Sequence, residues 1–196
     1  MIRKQIKAAA KQQIKGQIDM LFLISVIISM ISMVPVAGMI LGPGLSVGMI
    51  LVYLNMTYGK PPVVEDAMNG ARYLGKAWWL NFLISFFTAL WSMLFYIPGI
   101  IASLRYSLAF YVLAENPQMT AREALNESKR LMHGHKMELF VMHLSFIGWY
   151  ILCMFTFFIP IFYVGPYHNT SIANFYQYVK QVAPPVQTTA QQYAQY

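Results

Sequence analysis

Three stretches of this chain exclude charge almost completely, and their length constrains the architecture. No Asp, Glu, Lys or Arg occurs for 40 residues between Asp19 and Lys60 or for 41 between Glu138 and Lys180, and Arg105 alone interrupts the 38 between Lys76 and Glu115. A helix that crosses a bilayer needs about 20 apolar residues, so each stretch is long enough for two. Each is also interrupted near its middle by proline and glycine: "VPVAGMILGPG", "YIPG" and "FIPIFYVGP". These residues bend or end helices, because proline lacks an amide donor and glycine relaxes the backbone. The expectation is an all-α polytopic membrane protein with six transmembrane helices arranged as three hairpins, over 20–59, 77–114 and 139–179, in one helical membrane domain spanning 1–180. A membrane barrel would need period-two alternation with a polar lumen face, and the sequence has none. With 58% hydrophobic and 11% charged residues, the composition lies outside the range of ordinary soluble domains.

The charges orient the hairpins. Five of the 14 Lys and Arg precede the first stretch, three lie between the first and second, four between the second and third, and Lys180 follows the last. The mid-stretch turns carry none. Cationic connections stay cytoplasmic, so both termini and both long connections are expected inside and the three turns outside. The net charge of +7 then follows from topology and anionic lipid, and no nucleic-acid partner is needed. The amino-terminal basic region is long and no small-x-small cleavage site follows, so it reads as mature protein rather than a signal peptide. The single cysteine, Cys153, reads as a packing residue.

Amphipathic segments separate the stretches. Ile2, Ile6, Ala10, Ile14 and Ile18 recur every four residues, with Lys4, Lys7, Lys11 and Lys15 on another face. Residues 1–18 therefore form a helix with an apolar and a basic stripe. It either lies in the interface with its lysines toward anionic headgroups or packs on the cytoplasmic loops. Over 117–134, Thr120 and Glu123 fit a capping box. Ala121, Ala124, Leu125, Ser128, Leu131 and Met132 form a stripe, and Gly134 ends the helix. The shorter connection "EDAMNGAR" aligns with "REALNESK", and Pro43–Pro61, Pro98–Pro117 and Pro166–Pro184 are spaced by 18, 19 and 18 residues. The chain thus reads as three copies of one unit: amphipathic helix, span, turn, span, proline linker. Residues 181–196, rich in Gln and Tyr, read as a disordered tail.

Few residues carry chemistry. Arg105 lies seven residues beyond Pro98, about 10 Å into a returning helix at 1.5 Å per residue, where a charge normally faces protein or water and finds a partner. It either snorkels or forms an anion or headgroup site with neutral acceptors drawn from Tyr106, His143, His168, Asn169, Asn55, Asn81 and Asn174. The spans hold no Asp or Glu, which argues against a proton-driven pump. His133, His135 and Glu138 are too few for a tetrahedral metal set, and no serine sits in a nucleophile-elbow context. No catalytic residue, metal or cofactor is therefore expected. Gly38, Gly42, Gly44 and Gly48 sit at small-x-x-x-small spacing, suited to close helix packing within the chain or in a homo-oligomer. Trp78, Trp79, Tyr58 and Tyr178 read as one interfacial belt and Tyr96, Tyr163 and Tyr167 as the other. Trp149 is expected between helices.

The run "IPGIIASLRYSLAFYVLAENPQMTAREALNESKRLMHGHKMELFVMHLSFIGWYIL", followed by "GPYHNTSIANFY", resembles an uncharacterised family of bacterial integral membrane proteins, common in Firmicutes and catalogued as domain of unknown function 975. The family is distantly similar to the membrane portion of some glycerophosphodiester phosphodiesterases. The resemblance covers roughly residues 1–178, with "IPGII", "AENP", "GHK" and "LSFIGW" as its most specific motifs. It implies a multi-pass helical fold in a bacterial plasma membrane and no established activity. Arg105 is not one of its hallmarks.

The functional expectation is a non-enzymatic integral membrane protein with an accessory or protective role, acting on membrane lipids, a membrane protein or a membrane-active peptide of the bacteriocin type. The alternatives are a small transporter or channel with a polar interior near Arg105, and an intramembrane enzyme.

Overall fold

The computed structural model describes residues 2–32, 35–94, 96–155 and 161–183. Among these the chain is all-helical, without strands. Ten α-helices follow in order: α1 (Ile2–Ile14), α2 (Ile18–Ser32), α3 (Pro35–Thr57), α4 (Val64–Asn69), α5 (Leu74–Leu94), α6 (Tyr96–Tyr106), α7 (Ala109–Glu115), α8 (Ala121–Leu131), α9 (Lys136–Phe155) and α10 (Ile161–Val182). A short 3-10 turn, Gly70–Tyr73, joins α4 to α5. The expected tail lies outside the described residues from 184 onward.

The order is threefold. An amphipathic or short helix, an outgoing helix and a returning helix occur as α1-α2-α3, then α4-α5-α6/α7, then α8-α9-α10, and the outgoing and returning helices of each unit pack together. Each short helix also packs on a returning helix of the unit before it: α4 and the 3-10 turn on α3, and α8 on α7. In the first unit α1 packs instead on α10 of the last. The set is thereby closed into a ring.

The returning helices form the centre. α3 packs against both α7 and α10, and α7 meets α10 where the Tyr111 and Tyr176 rings lie 5.9 Å apart. Each contributes one buried tyrosine: Tyr53 from α3, Tyr111 from α7 and Tyr176 from α10. The outgoing helices surround them. On α5, Ala77, Leu80 and Leu83 turn inward while Trp78, Trp79, Phe82, Phe86 and Leu90 are exposed, and on α9 Leu139, Met142, Phe146 and Cys153 are buried while Met137, Leu144, Ile147, Trp149 and Ile151 are exposed. α2 behaves alike, burying Leu21 and Ile24 and exposing Met20, Phe22, Leu23 and Met30. Trp149 is thus on the outside, not between helices, because Phe146 and Cys153 hold the inward face of α9.

No single helix among the described residues is long and apolar enough to cross a membrane. α1 and α2 meet that test only as a pair bent by 86°, and the apolar windows Leu41–Thr57 and Leu74–Leu90 are shorter. The helix breaks also differ from the expected turns. Pro43 and Pro166 lie inside α3 and α10. α3 opens on Pro35, a position where the missing amide costs nothing. The second returning segment is split, with α6 ending at Tyr106 and α7 starting at Ala109.

Two local devices set the packing of the short helices. At α8, Glu123 donates its amide to Thr120 Oγ1 at 3.3 Å while Glu123 Oε2 accepts the Thr120 amide at 2.7 Å, the reciprocal bonds of a capping box. The stripe Ala121, Ala124, Leu125, Ser128, Leu131 and Met132 is buried against α5, α6 and α7. At α3, a side chain at Gly48 would overlap the Ala67 carbonyl, and one at Gly70 would overlap the backbone of Gly44 and Gly48. Gly44 and Gly48 therefore serve contact within the chain, letting α4 and the 3-10 turn approach α3 backbone to backbone.

Candidate anion cleft and histidine pair

Ile6, Ala10 and Ile14 are buried where α1 meets α10, and Gln13 and Asn174 exchange side-chain hydrogen bonds of 3.4 and 2.7 Å. The apolar stripe of α1 thus packs on α10, within the stretch expected to form the third hairpin, and not on the connecting loops. Lys4, Lys11 and Lys15 remain exposed.

Lys7 is different. It turns toward α9, donating to Ser145 Oγ with its ammonium 4.0 Å from the Phe146 ring centre. Burial pushes its pKa below the usual lysine range. Between α1 and α9 opens a cleft of about 370 Å³ lined by Arg3, Lys4, Lys7, Val141, Met142 and Ser145. Among the described residues no carboxylate pairs with any of its three cations, since the ion pairs present join Arg130 to Glu127, His135 to Glu138 and Lys180 to Glu115. The three side chains thus place positive charge around one open volume.

Behind the cleft, His143 Nδ1 lies 3.0 Å from His168 Nε2, and His168 Nδ1 lies 3.0 Å from the Tyr150 hydroxyl. His143 and Tyr150 are seven residues apart and share one face of α9, while His168 comes from α10. Such a chain can pass a proton along its length by concerted shifts. Among the described residues no three His, Cys, Asp or Glu side chains are grouped to hold a metal.

The other candidate residues lie in different surroundings. Arg105 occupies the last turn of α6, where a cation offsets the carbonyl end of the helix dipole. Its own carbonyl accepts a hydrogen bond from Ser128 of α8 at 2.8 Å. Tyr106 packs its ring 6.3 Å from that of Phe87, with Lys129 at 5.6 Å. Asn169 donates to the Gly165 carbonyl and bonds Tyr53. Asn55 donates to Asp66. Of the acceptors expected for the Arg105 guanidinium, Asn55, Asn169 and Asn174 are engaged elsewhere, and His143 and His168 hydrogen-bond each other. No binding role for Arg3, Ser145 or Tyr150 is legible in the sequence: Arg3 is one of the amino-terminal basic residues, Ser145 is set aside as a nucleophile, and the seven-residue interval to His143 is the one signal for Tyr150.

Residues 93–183 match the family model described as protein of unknown function DUF975. The matched segment runs from the end of α5 through α10, and so contains the α6–α7 break, the capped helix α8 and the histidine pair. Comparison with curated proteins and with solved structures returned no match.

Proposed function

We propose that this chain is a multi-pass protein of the bacterial plasma membrane, with both termini cytoplasmic, that acts without catalysis through its contacts with lipid, a membrane protein or a membrane-active peptide. The observation that carries this reading is the distribution of exposed apolar side chains. They stand on the outward faces of all three outgoing helices, whereas monomeric soluble proteins rarely expose apolar patches beyond a few hundred Å². The stacked series Trp79, Phe82 and Phe86, with centroids 5.5 and 6.1 Å apart, presents bare aromatic surface that lipid would cover. The 17-residue apolar windows of α3 and α5 extend to about 25 Å at 1.5 Å per residue, near the ~30 Å of a bilayer core, and both helices continue past them. The resemblance to bacterial integral membrane proteins supports the same reading, and the basic face of α1 suits an anionic cytoplasmic leaflet.

Topology labelling tests it. In a Cys153→Ala background, Lys60→Cys and Lys129→Cys should resist a membrane-impermeant maleimide in intact cells and react after permeabilisation, and the protein should stay with the membrane fraction in alkaline carbonate. Reaction in intact cells, or release by carbonate, rejects the proposal.

A transporter is the second reading, favoured by the Tyr150–His168–His143 chain. Proteoliposomes should then show proton or solute flux that His168→Phe abolishes; absence of flux in the wild type removes it.

A further inference from the structure

We infer that the cleft between α1 and α9 is a discrete binding site for one phosphate group, carried by an anionic phospholipid whose acyl chain lies along α9. This rests on the membrane reading above for the lipid, though not for the phosphate.

The charge argument comes first. Arg3, Lys4 and Lys7 converge on one cleft with the Ser145 hydroxyl and, among the described residues, without a carboxylate partner. A guanidinium gives planar paired donors, ammonium groups give point charges, and the hydroxyl gives a further donor. That set suits the tetrahedral oxygens of a phosphate. Lys7 is the deepest of the three, and its half-buried ammonium is now satisfied by a neutral hydroxyl and a ring face. A phosphate oxygen would add the attraction of opposite charges, which neither the hydroxyl nor the ring supplies in full.

The shape argument selects a lipid over a free ion. The cleft is walled by Val141 and Met142 of α9, and the helix surface continues from there through Leu144, Gly148 and Ile151, all exposed. Gly148 has open space where a side chain would stand, leaving a shallow channel between Leu144 and Ile151, one turn on either side. A headgroup phosphate at Ser145 would thus deliver its chain onto an uninterrupted apolar track. Lys11 and Lys15, further along α1, take no part in lining the cleft.

The experiment uses the full chain in nanodiscs of phosphatidylcholine containing phosphatidylglycerol, with retained lipid counted by native mass spectrometry after release. One phosphatidylglycerol should remain per chain. Arg3→Gln/Lys7→Gln should lower its retention at least tenfold, while Lys11→Gln/Lys15→Gln, with the same change in net charge, should leave it within twofold. Lys7→Arg should restore most retention, separating the role of charge from damage to the fold. Equal losses in the two double variants would mean diffuse surface attraction and overturn the site, as would a wild type that retains no phosphatidylglycerol. Inorganic phosphate in detergent forms the second arm. If it protects Lys7 from acylation at millimolar concentration while phosphatidylglycerol does not, the phosphate site stands and the lipid assignment is overturned. Failure of the membrane reading itself appears separately, as release of the wild type by carbonate.

Discussion

Tyr176 donates its phenolic hydrogen to the Glu115 carboxylate at 2.6 Å, joining the ends of two returning helices. The same carboxylate accepts from Tyr58, just past the end of α3, at 2.6 Å, and from Lys180 of α10 at 2.7 Å. Gln177 in turn donates to Tyr58 at 2.7 Å. One acidic residue thus ties α3, α7 and α10 together where the three central helices end.

Glu115→Gln should destabilise the fold by about 1.5–3 kcal/mol, the range for hydrogen bonds to charged groups. Burial opposes ionisation of Glu115, yet the hydrogen bonds from Lys180, Tyr176 and Tyr58 outweigh it and hold the carboxyl below its ordinary 4.5. A carboxyl with a depressed folded pKa contributes stability that is present in full above its unfolded value and lost as pH falls through the folded one. Unfolding of the wild type in detergent should therefore become easier as pH drops below about 4.5, and Glu115→Gln should flatten that part of the profile. An unchanged acid limb would remove Glu115 from this role.

Gly48→Ala should cost about 1–3 kcal/mol or more, because the added methyl meets the Ala67 carbonyl and forces α4 away from α3. Gly42→Ala is the matched control. A methyl there meets nothing within 4 Å, so that variant should be neutral or gain about 0.5–1 kcal/mol from the restricted backbone. Thermal unfolding of the two variants side by side decides it; equal midpoints refute the close approach.

Thr120→Ala removes one half of the α8 capping box and should cost about 1 kcal/mol. Because α8 covers α7 and the α6–α7 break, the loss should show as faster amide exchange across Ala121–Leu131. Exchange that rises equally over the whole chain would point to global destabilisation instead.

Exposed Trp149 should sit among acyl chains. With Trp78, Trp79 and Trp91 replaced by Phe, its fluorescence in bilayers should be strongly quenched by lipids brominated on the chain and little affected by aqueous iodide. The reverse pattern would place the outer face of α9 in water.

The spacing of charges and of small residues carried much of the local structure. A stripe at three- and four-residue intervals appears in α8 because those intervals select one face of a helix, and Thr120 with Glu123 announces its own start. The split between α6 and α7 has no proline or glycine to announce it. It stands at Ser107 and Leu108, and the carbonyl of Arg105 just before it is met by a serine 23 residues away, so a partner outside the local sequence helps satisfy the break. The partners of His168, Lys7 and Glu115 were hidden for the same reason, as each comes from a different helix.

What the sequence by itself determined was the unit: helices with apolar and basic faces, ordered three times, in a chain too apolar for an ordinary soluble domain. Periodicity and solvent preference act within a few turns, so a linear text records them. Only the tertiary structure decided which faces meet, seating α1 on α10, gathering three helix ends at Glu115 and leaving three cations around one cleft. Those contacts arise from shape and charge complementarity between segments far apart in the chain, and no local interval encodes them.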